Sequence, residues 1–183
     1  MREEPVASPD PVAEARAYQD FLLAALGDDD PAEAQATTPA RIGRLIADAG
    51  PDLRTPPEPG EWSAIECIGH VLDGELVAAA RYRWILAHDE PELIGYDQDL
   101  WVDRLHHRDD DPDALVAFFE ALRAANLDLW RRSSEAERTR VGIHRERGPE
   151  SMDLLFRLMA GHDRIHLDQA DRALATVRAG RPT

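Results

Sequence analysis

The sequence predicts an all-α fold, a four-helix bundle with extra short N-terminal and connecting helices. Three observations predict it. Apolar residues recur three and four apart in each long segment, no segment sustains the period-two alternation of a half-buried strand, and helix start signals precede the periodic runs. Helices that each carry one apolar stripe bury those stripes by packing side by side.

Residues 1 to 10 carry Pro5, Ser8, Pro9 and Asp10 and read as a loosely ordered N-terminus, with residues 11 to 183 as one helical domain. From Pro11 a helical pattern places Ala15, Tyr18, Phe21, Leu22, Ala25 and Leu26 on one face, and Gly27 to Pro31 ends it. A second helix is predicted with Thr38 as N-cap and Pro39 at its first position, carrying Ile42, Leu45, Ile46 and Ala49 to the stop at Gly50-Pro51. Residues 50 to 60 hold four prolines and read as an extended connector over the surface.

The sharpest start signal is Glu61-Trp62-Ser63-Ala64-Ile65-Glu66. Ser63 as N-cap and Glu66 three residues later form a capping box, with Trp62 at the staple position, and a long helix runs to about His88. Ile65, Ile68, Leu72 and Leu76 make its apolar stripe. His70 falls on a more polar side with Glu66, Asp73, Gly74, Val77 and Arg81, where a histidine is ordinarily solvated or salt-bridged.

Residues 89 to 110 read as irregular with a short helix through Gln98 to Val102, and His106 and His107 read as part of a solvated loop. Asp111 caps another long helix with Pro112 first, whose buried stripe is Leu115, Phe118, Phe119, Leu122 and Leu129 or Trp130. It ends near Ser133-Ser134. His144 lies in a loop through Pro149, as a structural or exposed residue. Ser151 caps the last helix, which frays at Gly180-Arg181-Pro182.

Composition excludes several functions. With 21 Lys and Arg against 36 Asp and Glu, the net charge of −15 repels phosphate backbones and anionic lipid surfaces. The single Cys67 forms no internal disulfide, and no run approaches the roughly 18 apolar residues of a membrane span, so a reduced cytoplasmic location is expected. At 183 residues the chain buries enough surface to fold without a structural metal, so any metal is expected to be functional.

The chemistry concentrates in Gly161-His162-Asp163-Arg164-Ile165-His166-Leu167-Asp168-Gln169. Histidines four apart share one helix face, one turn apart, so both imidazoles reach one ion. Leu155, Leu158, Met159, Ile165 and Gln169 share that face, so the pair points inward, either as core residues or as ligands. As ligands the two require a third from elsewhere in the chain.

Two motifs resemble the DinB-like (YfiT-like) metal-binding four-helix bundle family. They are Gly60-Glu61-Trp62-Ser63 followed by Ile68-Gly69-His70-Val71, then Glu146-Arg147-Gly148-Pro149 leading to the Gly161 to Gln169 stretch. The resemblance covers about residues 38 to 175. It implies a divalent metal, zinc or nickel, held by His70, His162 and His166, and relatives are often homodimers. Tyr96-Asp97-Gln98-Asp99 with Trp101 also looks like a stretch of relatives, without an assigned role.

Three neutral imidazoles would leave a dication with open positions for water or substrate. Glu66 and Asp73 share the face of His70 and could accept its other N–H, against a capping role for Glu66 and a surface pair with Arg81 for Asp73. Gln169 could bond to a ligand or fill the core, and Cys67 could approach the ion or pack as a small apolar residue. The family resemblance implies a metal-dependent enzyme on small molecules, such as a transferase of low-molecular-weight thiols or a hydrolase, with Arg81 supplying positive charge. The alternative is a stress-related metal or small-molecule binding protein without turnover.

Overall fold

The computed structural model describes residues 9–10 and 13–180, so most of the N-terminal lead-in, the helix start at Pro11 and most of the C-terminal fray lie outside the described residues. Helices are α1 (Ala15–Leu26), α2 (Pro31–Ala49), α3 (Ala64–Ala87), α4 (Gln98–Arg104), α5 (Pro112–Arg132), α6 (Glu135–Arg138) and α7 (Met152–Ala179). The long ones, α2, α3, α5 and α7, form a four-helix bundle with α1 laid along α7. Each of α2 and α3 packs along both α5 and α7, which leaves α2 diagonal to α3 and α5 diagonal to α7. No helix among the described residues is long and apolar enough to cross a membrane.

Most helix starts follow their capping chemistry. The Ser63 amide and hydroxyl both donate to Glu66 Oε2, at 2.8 and 2.5 Å. Asp111 accepts from the Asp113 and Ala114 amides with Pro112 first, and Ser151 Oγ accepts from the Leu154 amide. The second helix differs from expectation. Asp30 caps it, accepting from the Ala32 and Glu33 amides, and Pro31 takes the first position. Thr38 and Pro39 therefore lie inside α2, and Thr38 is buried with its hydroxyl donating to Asp163 Oδ2 at 2.7 Å.

A small sheet, absent from the sequence-based expectation, connects the bundle to its pocket. β1 (Glu92–Leu93) pairs parallel with β2 (Val141–His144), which pairs antiparallel with β3 (Gly148–Ser151). Strands of two to four residues are too short to show period-two alternation. Pairing Leu93 with His144 brings the segment after β1 alongside the turn between β2 and β3.

The core has two apolar clusters separated by a polar layer. One gathers Ile42, Leu45, Ile65, Ile68, Phe119 and Leu167; the other gathers Tyr82, Ile85, Leu127, Trp130, Phe156 and Met159. Between them every bundle helix contributes polar groups: Gln35 and Thr38 from α2, Glu75 from α3, Arg123 and Asn126 from α5, Asp163 from α7. All are buried. The expected stripes are thus only half right. Leu76 is 43% and Phe118 50% exposed, whereas Glu66, His70, Asp73 and Arg81 on the supposedly wet side of α3 are buried.

Candidate metal centre

α7 and α3 run side by side and bring His162 and His166 against His70. Nε2 of His162 and Nε2 of His70 are 2.9 Å apart, and ring centroids of the three histidines lie 4.4 to 4.8 Å from one another. All three side chains are buried. Gly74, one turn along α3 from His70, makes room for this, since a Cβ there would stand 3.0 Å from His162 Cε1.

Electrostatics keep the rings neutral. Burial, reinforced by mutual repulsion with neighbouring histidines, holds His70 and His162 well below the usual imidazole range. Burial lowers His166 to about 4, although Gln169 opposes the shift. His166 Nδ1 and Gln169 Oε1 are 2.9 Å apart, so the ring donates there and leaves Nε2 as its free acceptor.

The residues present fit a divalent ion. One potential ligand atom from each histidine lies within 4.8 Å of the others, the three being the metal-capable cluster found among the described residues. Two nitrogens each about 2.0–2.1 Å from a zinc ion stand roughly 3 Å apart, close to the spacing His70 and His162 already have. The Nδ1 atoms of His70 and His162 have no hydrogen-bond partner among the described residues. Three neutral nitrogen donors make an open, incomplete coordination set.

The neighbours proposed from sequence fall into other roles. Glu66 closes the capping box and pairs with Arg108. Asp73 pairs with neither His70 nor Arg81; its Oδ2 lies 2.7 Å from His107 Nε2. His107 is therefore no solvated loop residue but is buried, with Asp110 2.7 Å from its other nitrogen. Cys67 packs in the first apolar cluster, where burial pushes its thiol up to about 12, and it stands outside the histidine cluster. His144 is also buried, 3.3 Å from Arg81.

Aromatic rings wall the centre. Trp62 lies 5.1 Å from His70 and 6.1 Å from His166, Tyr96 lies 6.3 Å from His70, and Trp101 packs on Tyr96 at 4.4 Å. The capping-box motif thus also delivers Trp62 to the site. A cavity of about 470 Å³ opens beside it, lined by His70 and His162 at one place and Arg81, His144 and Arg147 at another. Sequence reasoning missed His144 and Arg147, since the strand pairing that buries one and positions the other joins residues 51 apart, Leu93 and His144 among them.

A polar network backs the histidines. Arg123 donates to Glu75 Oε2 at 2.8 Å and to Asp163 Oδ2 at 2.7 Å, and Asn126 donates to Glu75 Oε1 at 2.8 Å. Burial raises the Glu75 carboxyl while Arg123 draws it down. Asp163 follows His162 directly, so the network holds the stretch of α7 that carries the pair.

A solved structure similar to this chain is that of YfiT from Bacillus subtilis, described as a probable metal-dependent hydrolase with an unusual four-helix bundle topology. The two are 18% identical with a TM-score of 0.72, over 98% of this chain and 94% of that one, a likeness of fold. No curated protein matches the chain. The family model of the DinB superfamily matches residues 32–170, which include His70, His162 and His166. The chain belongs to the DinB superfamily.

Proposed function

We propose that the protein is a divalent-metal-dependent enzyme acting on a small molecule in the 470 Å³ cavity, with His70, His162 and His166 as the metal ligands and transfer of a low-molecular-weight thiol as its reaction. The observation that carries this reading is the convergence of three neutral, buried imidazoles beside a cavity of substrate size. A divalent ion held there keeps its full charge and supplies Lewis acidity, lowering the pKa of a thiol or a water brought to it.

The protein's own groups favour a thiol. Hydrolysis is helped by a base placed to move protons between water and the leaving group. The carboxylates adjoining the histidines are already engaged: Glu66 in its cap, Asp73 with His107, Asp163 with Arg123 and Thr38. A thiol, more acidic than water by several pK units, needs no such base. The sulfur would bond to an electrophilic carbon, the thiol proton passing to solvent and the leaving group departing. Trp62 and Tyr96 cover the rings and limit access of bulk water, which protects a thiolate from competing reactions. Hydrolysis is the second reading, supported by how YfiT is described.

Two measurements test the proposal. Metal content by plasma mass spectrometry is expected to be about one ion per chain and to vanish in His70→Ala and His162→Ala; unchanged content in both variants would sink the ligand assignment. Metal-loaded protein incubated with monochlorobimane and a panel of bacterial thiols is expected to form conjugate above the uncatalysed rate. No metal-dependent conjugation with any thiol would reject the transfer reaction and leave ester and amide hydrolysis to be assayed.

A further inference from the structure

Two arginines are buried among the described residues, and they are treated differently. Arg123, 1% exposed, has two carboxylates on its guanidinium. Arg81, 6% exposed, has no carboxylate within ion-pair distance among the described residues. Its Nη2 donates to the Ile94 carbonyl and lies 3.3 Å from His144 Nε2, while its Nε is buried without a partner among the described residues. The Glu146 amide donates to His144 Nδ1 at 3.3 Å, Glu146 Oε2 lies 3.0 Å from the same nitrogen, and burial keeps the ring uncharged, so His144 offers Arg81 no counter-charge.

Charges nearby balance Arg81 only in part: Glu150 favours its charged form from a distance, and Asp10, Asp97, Asp99 and Glu146 line the same cavity without an ion pair to it among the described residues. Arg147 is engaged by Glu150, with Nε 2.5 Å from Oε1 and Nη2 3.1 Å from Oε2. Asp97 caps α4, accepting the Leu100 amide at 2.9 Å. Burial, with repulsion from Arg147 next, pushes the Arg81 pKa down. A cation taken out of water without a counter-ion is costly, in a chain with 36 acidic residues from which to supply one.

The cavity explains the arrangement. His70, Gly74, Val77 and Arg81 stand on one face of α3 and all line it. Eleven residues of helix set the His70 and Arg81 Cα atoms about 16 Å apart, and the long arginine side chain leans back toward the helix N-terminus and so toward the histidines. Tyr18 and Gln19 of α1 close the same space.

We propose that Arg81 is an anion subsite, and that the small molecule acted on at the histidine centre carries a carboxylate or phosphate group seated on its guanidinium. The assignment of a reaction to that molecule rests on the proposed function; the anion site itself does not. The counter-ion that the described residues do not supply is the ligand, and the opposite end of the molecule is thereby directed at His70 and His162.

The test uses the full chain stripped of metal by chelation and titrated calorimetrically with glutarate, with its dimethyl ester and with inorganic phosphate. Saturable binding of glutarate but not the ester is expected, weakened about tenfold or more in Arg81→Gln and partly retained in Arg81→Lys, which keeps the charge and loses the fork that holds Ile94 and His144. A purely structural role for Arg81 would leave anion binding equal in any folded variant. Phosphate binding without glutarate binding supports the site with a phosphorylated ligand. No anion binding to the wild type, equal binding of the ester, or equal binding by folded Arg81→Gln overturns the proposal. Should Arg81→Gln fail to fold, the comparison of acid with ester decides. Repeating the titration with His70→Ala, whose metal content is read separately, lets the anion site and the metal centre fail independently.

Discussion

Arg123 Nη1 donates to the main-chain carbonyl of Gln35 at 3.2 Å. In an uninterrupted helix that carbonyl receives the amide four residues on, which here is Pro39 and has no N–H. A side chain from α5 thus completes the backbone of α2 at the one place where α2 cannot do so itself. The same guanidinium pairs with Glu75 and Asp163, so a single residue binds all four bundle helices.

Arg123→Met is therefore expected to leave two buried carboxylates and a carbonyl unpaired, destabilising the protein by about 3–5 kcal/mol. Urea denaturation measures it. A loss below about 1 kcal/mol would show that the network is not what aligns the helices.

Two buried histidines outside the metal cluster make opposite contributions with pH. Burial, then Arg147, depress His144 to about 4, so its neutral form stabilises the fold above the unfolded value of about 6.5 and that stability is lost as pH falls from there toward 4. Burial opposes protonation of His107, but bonds to Asp73 and Asp110 outweigh it and raise its pKa. Its stabilisation is complete below about 6.5 and is lost as pH rises through the raised value. His144→Gln should flatten the acid side of a plot of urea midpoint against pH, and His107→Gln the neutral to alkaline side. Curves parallel to the wild type would contradict the burial of either ring.

Gly161 lies where α1 crosses α7, and a Cβ there would run into the Leu22 carbonyl and backbone. Because the obstacle is main chain, α1 must move as a unit. Gly161→Ala is expected to cost about 1–3 kcal/mol, read as a fall in Tm. Tyr18 and Gln19 retreat with α1, so ligand affinity should fall while metal content stays unchanged.

Gln169 orients His166 through Nδ1. Removing such an outer partner typically lowers metal affinity about 10–100-fold, so Gln169→Ala should compete less well against a chromophoric chelator while still binding one ion. Wild-type affinity in this variant would mean that core packing alone sets the ring.

The helix starts at Ser63, Asp111 and Ser151 were readable because capping is local chemistry: an oxygen two or three residues from the amides it serves. The histidine pair was readable from helical spacing, and its meeting with His70 only from family resemblance, since nothing local to His70 announces α7. Face assignment on α3 failed for a definite reason. Periodicity equates polar with wet, whereas Asp73, Glu75 and Arg81 find partners in His107, Arg123, Ile94 and His144 and so leave water. Thr38-Pro39 was misread as a helix start because proline at a first position is common. What overrode that preference was a stronger cap eight residues earlier and an arginine from another helix.

The diagonal placement of α2 against α3 and of α5 against α7 also bears on how the chain reaches this state. Of the consecutive bundle helices only α3 and α5 lie side by side, and neither α2 with α3 nor α5 with α7 can close as a simple hairpin, so much of the bundle's assembly waits for contacts distant in sequence, which slows folding relative to up-and-down bundles. The histidine centre draws on α3 and on α7, the last of the four bundle helices to be synthesised. It can exist only after synthesis of the bundle is complete, and a bound ion would lock the final closure rather than nucleate an early one.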